Sequence, residues 1–485
     1  MSPHSTSDNR PLWTAEQLAR AMGGKLVGDC QPTIGDISID SRTLEPGEAY
    51  VAIKGHAHDG HAFTASALEN GASLAVVSQE WAATAPPGRY LVVADPLKAL
   101  EKAGHVARAR TAAKIIAVTG SVGKTSTKEA LAHVLAREGQ THAPQKSFNN
   151  HIGVPLTLAR MPASSQFGVF EIGMNHAGEI ATLTRMVRPD IAVITNVEAV
   201  HVENLGSIEA IADAKAEIFL GVEPGGAAIL PRDNRFFDRL AASARRAGVE
   251  QIVSFGEHEE ADVRLVRLSL AAECSTVSAE IFGQPVTYKL GSPGRHLALN
   301  SLAVLATTRL AGADLAIAAL ALSDIRAVAG RGQRLLRQVK SGHFTLLDES
   351  YNANPVSMRA ALAVLGATKP EANGRRIIIL GDMLELGNEG PALHAALAGP
   401  VDEAHVDLVF CSGPLMENLW QALPAAKRGA YAATAAELES AIARAVRPGD
   451  VVMAKGSRGS RTSVLVETIK ARFPAVVIDA EAGVA

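Results

Sequence analysis

Residues 114–129, KIIAVTGSVGKTSTKE, set a short apolar run, a glycine-rich turn and a helix start in immediate succession. Ile115, Ile116, Ala117 and Val118 suit a parallel strand buried on both faces, and Leu131, Val134 and Leu135 give the following helix an apolar side. Few folds accommodate that order. It demands an α/β unit whose strand feeds a helix at its carboxyl end, and it builds a phosphate cradle there. Backbone N–H groups of the turn face oxyanions, Lys124 adds a point charge, and the Thr125 hydroxyl can hold Mg²⁺. The standard pattern has glycine five residues before the Gly-Lys pair; here Val118 stands at that place and Gly120 makes the turn.

The rest of the chain repeats the same grammar. Short apolar runs alternate with helical stretches across 485 residues, which predicts an α/β protein of several domains. Strands are expected at 48–53, 73–78 and 90–94, followed by an Ala/Arg-rich helix. They are expected again at 167–173, 191–197 and 227–230, and then at 343–348, 376–381, 407–411 and 450–454. Three blocks follow, 1–108, 109–330 and 331–485, with the phosphate loop opening the second. A 47% hydrophobic and 20% charged composition suffices for sizeable cores. The net charge of −3 gives no general drive toward nucleic acid or an anionic membrane. Cys30, Cys274 and Cys411 are widely spaced and odd in number, which supports neither a disulfide framework nor a cysteine zinc site. The polar start MSPHSTSDNR lacks an apolar signal core and no run reaches membrane-spanning length, so a cytoplasmic protein without membrane insertion is expected.

Ligands in such sheets gather at the carboxyl ends of strands. Glu171 ends FGVFEIG, where a carboxylate beside a phosphate cradle can bind Mg²⁺. His201 follows the strand IAVITNV, and Lys215 lies in a helical run with Ile211, Ala214 and Ile218 on its apolar side. A lone loop histidine is usually structural and such a lysine usually snorkels to water, so neither decides anything alone. In the third block DESYNANP, GDMLELG and KGSRGSR each follow an apolar strand. The last carries Lys455, Arg458 and Arg461, which suits phosphate or carboxylate better than nucleic acid. HAHDGH gathers His56, His58, Asp59 and His61, yet no second ligand pair follows at metal-site spacing, and the glycines fit a loop over a ligand.

Taken together, TGSVGKTSTKE (119–129), SFNNHIGVPLTL (147–158), FEIGMN (170–175), ADAKAEIF (212–219), GRHLALNSLAVLA (294–306) and GRGQR (330–334) resemble the Mur ligases. These are the ATP-dependent amide-forming enzymes of peptidoglycan precursor assembly. The resemblance spans nearly the whole chain in the family's order. DESYNANP, LGDMLELG and KGSR most resemble the members that add D-alanyl-D-alanine. It implies a monomer of three domains: the first for the uridine diphosphate end of the substrate, a central P-loop-type parallel sheet for ATP, and a Rossmann-like third for the incoming amine.

Carried over by motif, Ser41, Arg42, Asp59, Gly60 and His61 would meet the uridine nucleotide. Thr119, Gly120, Ser121, Val122, Gly123, Lys124, Thr125 and Ser126 would cradle ATP. Thr125 and Glu171 would hold one Mg²⁺, and His201 with a carbamylated Lys215 a second. An ammonium has no lone pair for a metal, so the carbamate makes chemical sense. Asn300 would meet adenine, Arg331 the γ-phosphate, and Asp348 with Asn352 the ribose side. Asn149 and Asn150 would line the channel to the muramoyl peptide. Asn354, Lys455, Ser457 and Arg458 would serve substrate in the third domain. One departure is visible: the family has Asn two residues before Asp after the strand AAIL, where this chain has Pro231 before Asp233.

The implied reaction joins D-Ala-D-Ala to UDP-N-acetylmuramoyl-tripeptide (UDP-MurNAc-tripeptide) through an acyl phosphate. Rival readings are the ligase that adds the preceding residue, a folylpolyglutamate-type synthetase, and a non-catalytic nucleotide-binding regulator.

Overall fold

The structure is a computed structural model that describes residues 11–476 except 56–57, 200–201 and 272. Its centre is a nine-stranded sheet in the order Gln284–Leu290, Ser275–Ile281, Val263–Leu270, Gln251–Gly256, Ala227–Pro231, Ile191–Ile194, Lys114–Thr119, Phe167–Glu171, Thr141–His142. All neighbours are parallel from Thr141–His142 to Val263–Leu270, and the last two strands add antiparallel. Alternation along Lys114–Thr119 divides the core. Ile116 and Val118 pack under the helices Lys124–Leu135 and Arg295–Leu310; Ile115 and Ala117 pack under Gly153–Ala159, Glu179–Val187 and Ile208–Ala216. The phosphate-loop strand is therefore central and dry on both faces.

A smaller five-stranded sheet lies before it, in the order Lys25–Val27, Tyr90–Val93, Leu74–Ser78, Ala49–Val51, Ile37–Ser38. The helix Pro96–Ala109 connects the two sheets. Asp95 caps it by accepting from the N–H groups of Leu97 and Lys98, with Pro96 in the first turn. This helix lies along Gly153–Ala159 of the central domain, and Gly104 allows the close approach: a Cβ there would stand 3.2 Å from the Pro155 carbonyl oxygen. Leu156 and Ala159 belong to the same apolar cluster as Trp13, Leu18 and Leu100. The Trp13 indole donates to the Ala159 carbonyl at 2.9 Å, and the Arg110 guanidinium lies 3.6 Å over its ring. Arg108 donates to the carbonyls of Val187 and Arg188, each at 2.8 Å.

The third sheet has six strands in the order Gln333–Val339, Gly342–Glu349, Val451–Lys455, Arg376–Gly381, Leu408–Ser412, Arg428–Ala432, with only the first pair antiparallel. Apolar clusters cover both its faces. It joins the central domain through residues 325–332, where Gly330 (φ +75°) and Gly332 (φ +92°) adopt left-handed conformations. No helix or strand of this domain packs broadly on one of the central domain among the described residues.

Three expected strands are clearly shorter than their apolar runs, and the first, 48–53, keeps only Ala49–Val51. The run 167–173 leaves the sheet after Glu171, and 191–197 leaves it after Ile194. Both ends turn toward the phosphate loop, where their polar groups have partners. The antiparallel extension at 263–290 was not among the expected strands because its outer face is open; Val266 is 60% and Leu270 50% exposed.

Candidate active site

Gly120 (φ +145°) and Gly123 (φ +88°) give the loop its shape. A Cβ at Gly120 would overlap the Thr195 hydroxyl, and one at Gly123 would stand 2.6 Å from the Asn300 amide nitrogen. The end of the strand Ile191–Ile194 braces the turn from beside it. Asn196 accepts from the Val122 N–H on its side chain (2.9 Å) and from the Ser121 N–H on its carbonyl (3.0 Å). Thr195 donates to the Val122 carbonyl at 2.6 Å, and Ser121 exchanges hydrogen bonds with the backbone of Glu198. The motif did not mark Thr195, Asn196 or Glu198; their signal is a polar run directly after a buried parallel strand. Lys124 opens the helix and donates from Nζ to the Gly120 carbonyl at 2.7 Å. Burial lowers its pKa, Glu171 opposes that, and the positive charge of Arg331 adds to it.

Glu171 is 1% exposed. Its Oε2 accepts from the Thr125 hydroxyl at 2.8 Å and its Oε1 from the Asn149 amide at 2.7 Å; Ser147 Oγ stands 3.0 Å from Thr125 Oγ1. Among the described residues no Lys, Arg or His lies within ion-pair distance of this carboxylate. A buried anion held by neutral donors, beside a hydroxyl and an amide, is an oxygen-only set that suits a hard divalent cation.

Lys215 faces the same place from the helix Ile208–Ala216. It is 3% exposed and has no hydrogen-bond partner among the described residues. Burial drives its pKa well below the ordinary lysine value, and the nearby Lys124 charge pushes the same way. His201 lies outside the described residues.

The third domain contributes from across the cleft. Arg331 sits 4.0 Å over the Tyr351 ring, and its charge lowers the pKa of both Lys124 and Lys455. Lys455 is buried and donates to Glu349 (3.3 Å) and to the Asn352 carbonyl (3.0 Å); burial is the main cause of its lowered pKa. A cavity between the two domains is lined by His296, Arg331, Arg334, Leu347, Glu349 and Met453. Asp348 is buried, with its oxygens engaged by Ser350 and by Lys470 Nζ at 3.0 Å. Asn352 and Arg458 are exposed. The Asn354 side chain caps the helix Pro355–Ala367 in a reciprocal box with Ser357. Ser457 ties the Leu384 N–H to the Ala353 carbonyl.

In the first domain Arg42 is exposed and chelates Asp40 at 2.9 and 2.7 Å, which draws that carboxyl down to about 2. Ser41 is buried, and its carbonyl accepts from Asn70. His61 is buried between Asp59, 2.7 Å from Nδ1, and the Ser78 N–H, 3.0 Å from Nε2. That fixes one tautomer, with the proton on Nδ1. Gly60 runs so close to Ile53 that a Cβ would meet its backbone at 2.7 Å. His56 lies outside the described residues, among which no group of three His, Cys, Asp or Glu could hold a metal. Asp233, in the turn that departs from the family pattern, accepts from the N–H groups of Glu257 and His258, both at 2.8 Å, and so joins two strand ends.

A phosphate cradle, a buried carboxylate beside it and a cleft lined from both the central and the third domain define a three-domain nucleotide-binding protein. The known proteins agree. Residues 118–308 match the Mur ligase middle domain, 330–458 the Mur ligase, glutamate ligase domain, and 33–138 the Mur ligase family, catalytic domain. The UDP-N-acetylmuramoyl-tripeptide–D-alanyl-D-alanine ligase of Escherichia coli is 34% identical over 82% of this chain and 86% of its own. A crystal structure of MurF from Acinetobacter baumannii superposes with a TM-score of 0.80 at 31% identity, covering 94% of this chain and 98% of that one. The MurF ligase from Thermotoga maritima, solved in complex with ADP, gives 0.72 at 26%, covering 90% and 97%. The chain belongs to the Mur ligase family, whose members form amide bonds at the expense of ATP. No described helix is long and apolar enough to cross a membrane.

Proposed function

We propose that this protein joins D-Ala-D-Ala to UDP-MurNAc-tripeptide in the cytoplasm, the last amino-acid-adding step of the precursor pathway. The observation that carries the reading is the Thr125–Glu171 pair at the phosphate loop, faced by Lys215 and by Arg331 of the third domain. Residues 1–108 are assigned to the uridine nucleotide, 109–330 to ATP and 331–485 to the dipeptide.

A carboxylate and an amine do not condense unaided, because hydroxide is a poor leaving group. The terminal carboxylate of the tripeptide takes the γ-phosphoryl of ATP, and ADP leaves. The dipeptide amine then attacks the acyl phosphate; the new C–N bond forms, phosphate departs and the amine sheds a proton. The first step brings two anions together. Lys124 and the loop N–H groups neutralise the phosphates, and Arg331 approaches from the third domain as the cleft closes and excludes water. Mg²⁺ held by Thr125 and Glu171 would screen the same charges. Burial without an acid partner among the described residues lowers the pKa of Lys215 and so enlarges its fraction of unprotonated amine. Only that form attacks CO₂, forming N–C and losing a proton, to leave a carbamate that can serve a second Mg²⁺ with His201.

The test is phosphate release from ATP and Mg²⁺ with UDP-MurNAc-tripeptide and D-Ala-D-Ala added separately and together. Release only with both supports the assignment. Release with UDP-MurNAc-dipeptide and a diamino acid moves it to the preceding step, and silence with every pair leaves a nucleotide-binding regulator.

A further inference from the structure

Lys128 sits one helical turn beyond Lys124, and its side chain is wholly buried. Its ammonium pairs with Glu129 and donates to the Pro144 carbonyl at 2.7 Å. Taking an ammonium out of water is costly even after relaxation, and an apolar side chain of equal length would fill the space. The useful property of a lysine here is the carbonyl it holds.

That carbonyl belongs to a segment with no regular structure of its own, between the two-residue strand Thr141–His142 and the helix Gly153–Ala159. The segment touches both candidate cation ligands: Ser147 lies against Thr125, and Asn149 donates to Glu171. Its far end is fixed twice, by the Asn149 carbonyl accepting from Gly173 and by the Asn150 side chain accepting from the N–H groups of Ile152 and Gly153. Phe148 packs into the first-domain core. The near end is held by Lys128.

We propose that Lys128 is a positioning residue for the divalent-cation site, acting through the Pro144 carbonyl to set Ser147 and Asn149 against Thr125 and Glu171. The inference rests on reading Thr125 and Glu171 as cation ligands. It adds a residue beyond the glycine turn whose side-chain hydrogen bonds go to Glu129 and Pro144 rather than to either ligand.

The test is calorimetric ADP binding by the full chain across a Mg²⁺ titration, with thermal unfolding alongside. The wild type should bind ADP more tightly as Mg²⁺ rises. Lys128→Met should shift the Mg²⁺ midpoint upward by roughly 10-fold, the usual effect of losing an outer support of a metal site. Its metal-free ADP affinity should be unchanged, and Lys128→Arg should recover most of the shift. Lys128→Gln is too short to reach the carbonyl and should carry the same shift if the Met variant does not fold. A folded Met or Gln variant with the wild-type midpoint makes Lys128 a packing residue and overturns the proposal. A wild type whose ADP binding ignores Mg²⁺ overturns the ligand assignment beneath it.

Discussion

The two joints of this molecule are built on opposite principles. Between the first and central domains, a helix lies along a helix, an indole reaches across to a carbonyl, and two arginines are spent on backbone oxygens. Between the central and third domains there is a glycine-bearing connection and a cavity lined by charged groups from both sides. Apolar burial and satisfied hydrogen bonds make a joint that opens only at a cost of several kcal/mol. The second joint brings the Arg331 charge near both Lys124 and Lys455, and an anion bound between them would offset that like-charge repulsion. The first joint is a matter of stability, the second of turnover.

Substitutions separate these roles. Lys124→Ala, at the second joint, should lose about 10³-fold or more in kcat with an unchanged unfolding temperature; turnover near wild type would show that the phosphate loop has been misassigned. Lys215→Ala should be nearly as damaged, and short carboxylic acids should restore part of the activity when bicarbonate is excluded. Full activity without any acid would remove the carbamate. At pH 7.5 an ordinary lysine is free amine to about one part in a thousand. The downward shift at Lys215 enlarges that fraction, so activation by bicarbonate should extend to lower pH than for an ordinary lysine and fade as the pH drops through the lowered pKa. A bicarbonate response confined to pH near 10 contradicts that order.

Trp13→Ala tests the first joint. Losing a buried indole with its hydrogen bond and its stacked arginine should cost about 3–5 kcal/mol in stability, read by denaturant unfolding, with little change in KM for ATP. A variant of normal stability and poor ATP affinity would reverse the division of labour. Arg160→Ala should have the smallest effect, about 1 kcal/mol, because it removes one bond to the Ile37 carbonyl and a half-exposed pair with Asp36 at 3.3 Å.

The second joint was the more legible of the two in the sequence. A phosphate cradle needs glycine at fixed places and a lysine beside them, and those demands survive as a pattern. Glu171 and Lys215 carried little signal of their own, since a strand-end carboxylate and a helix lysine are each ordinary; their place among the family's motifs marked them. The first joint left no comparable trace: nothing in the spelling of Trp13 and Ala159 says that residues so distant in the chain will bond. His61 is similar, since its tautomer is set by Ser78 on a neighbouring strand. Asn354 carried a local signal, Asn before Pro with Ser three residues on, which describes a helix cap as well as a ligand. The antiparallel strands at 263–290 were obscure because half-wet strands lack a continuous apolar run.

A welded first joint also turns the protein into a ruler. If the sugar nucleotide sits in the first domain and the γ-phosphate in the second, as proposed, the distance between anchor and reacting carboxylate is set by the Trp13 and Pro96–Ala109 contacts, not by the substrate. An extended peptide grows by about 3.5 Å per residue. On that assignment a stem one residue short would fall outside bonding distance of the phosphoryl group while still filling the nucleotide end, and length would be measured before any side chain is recognised.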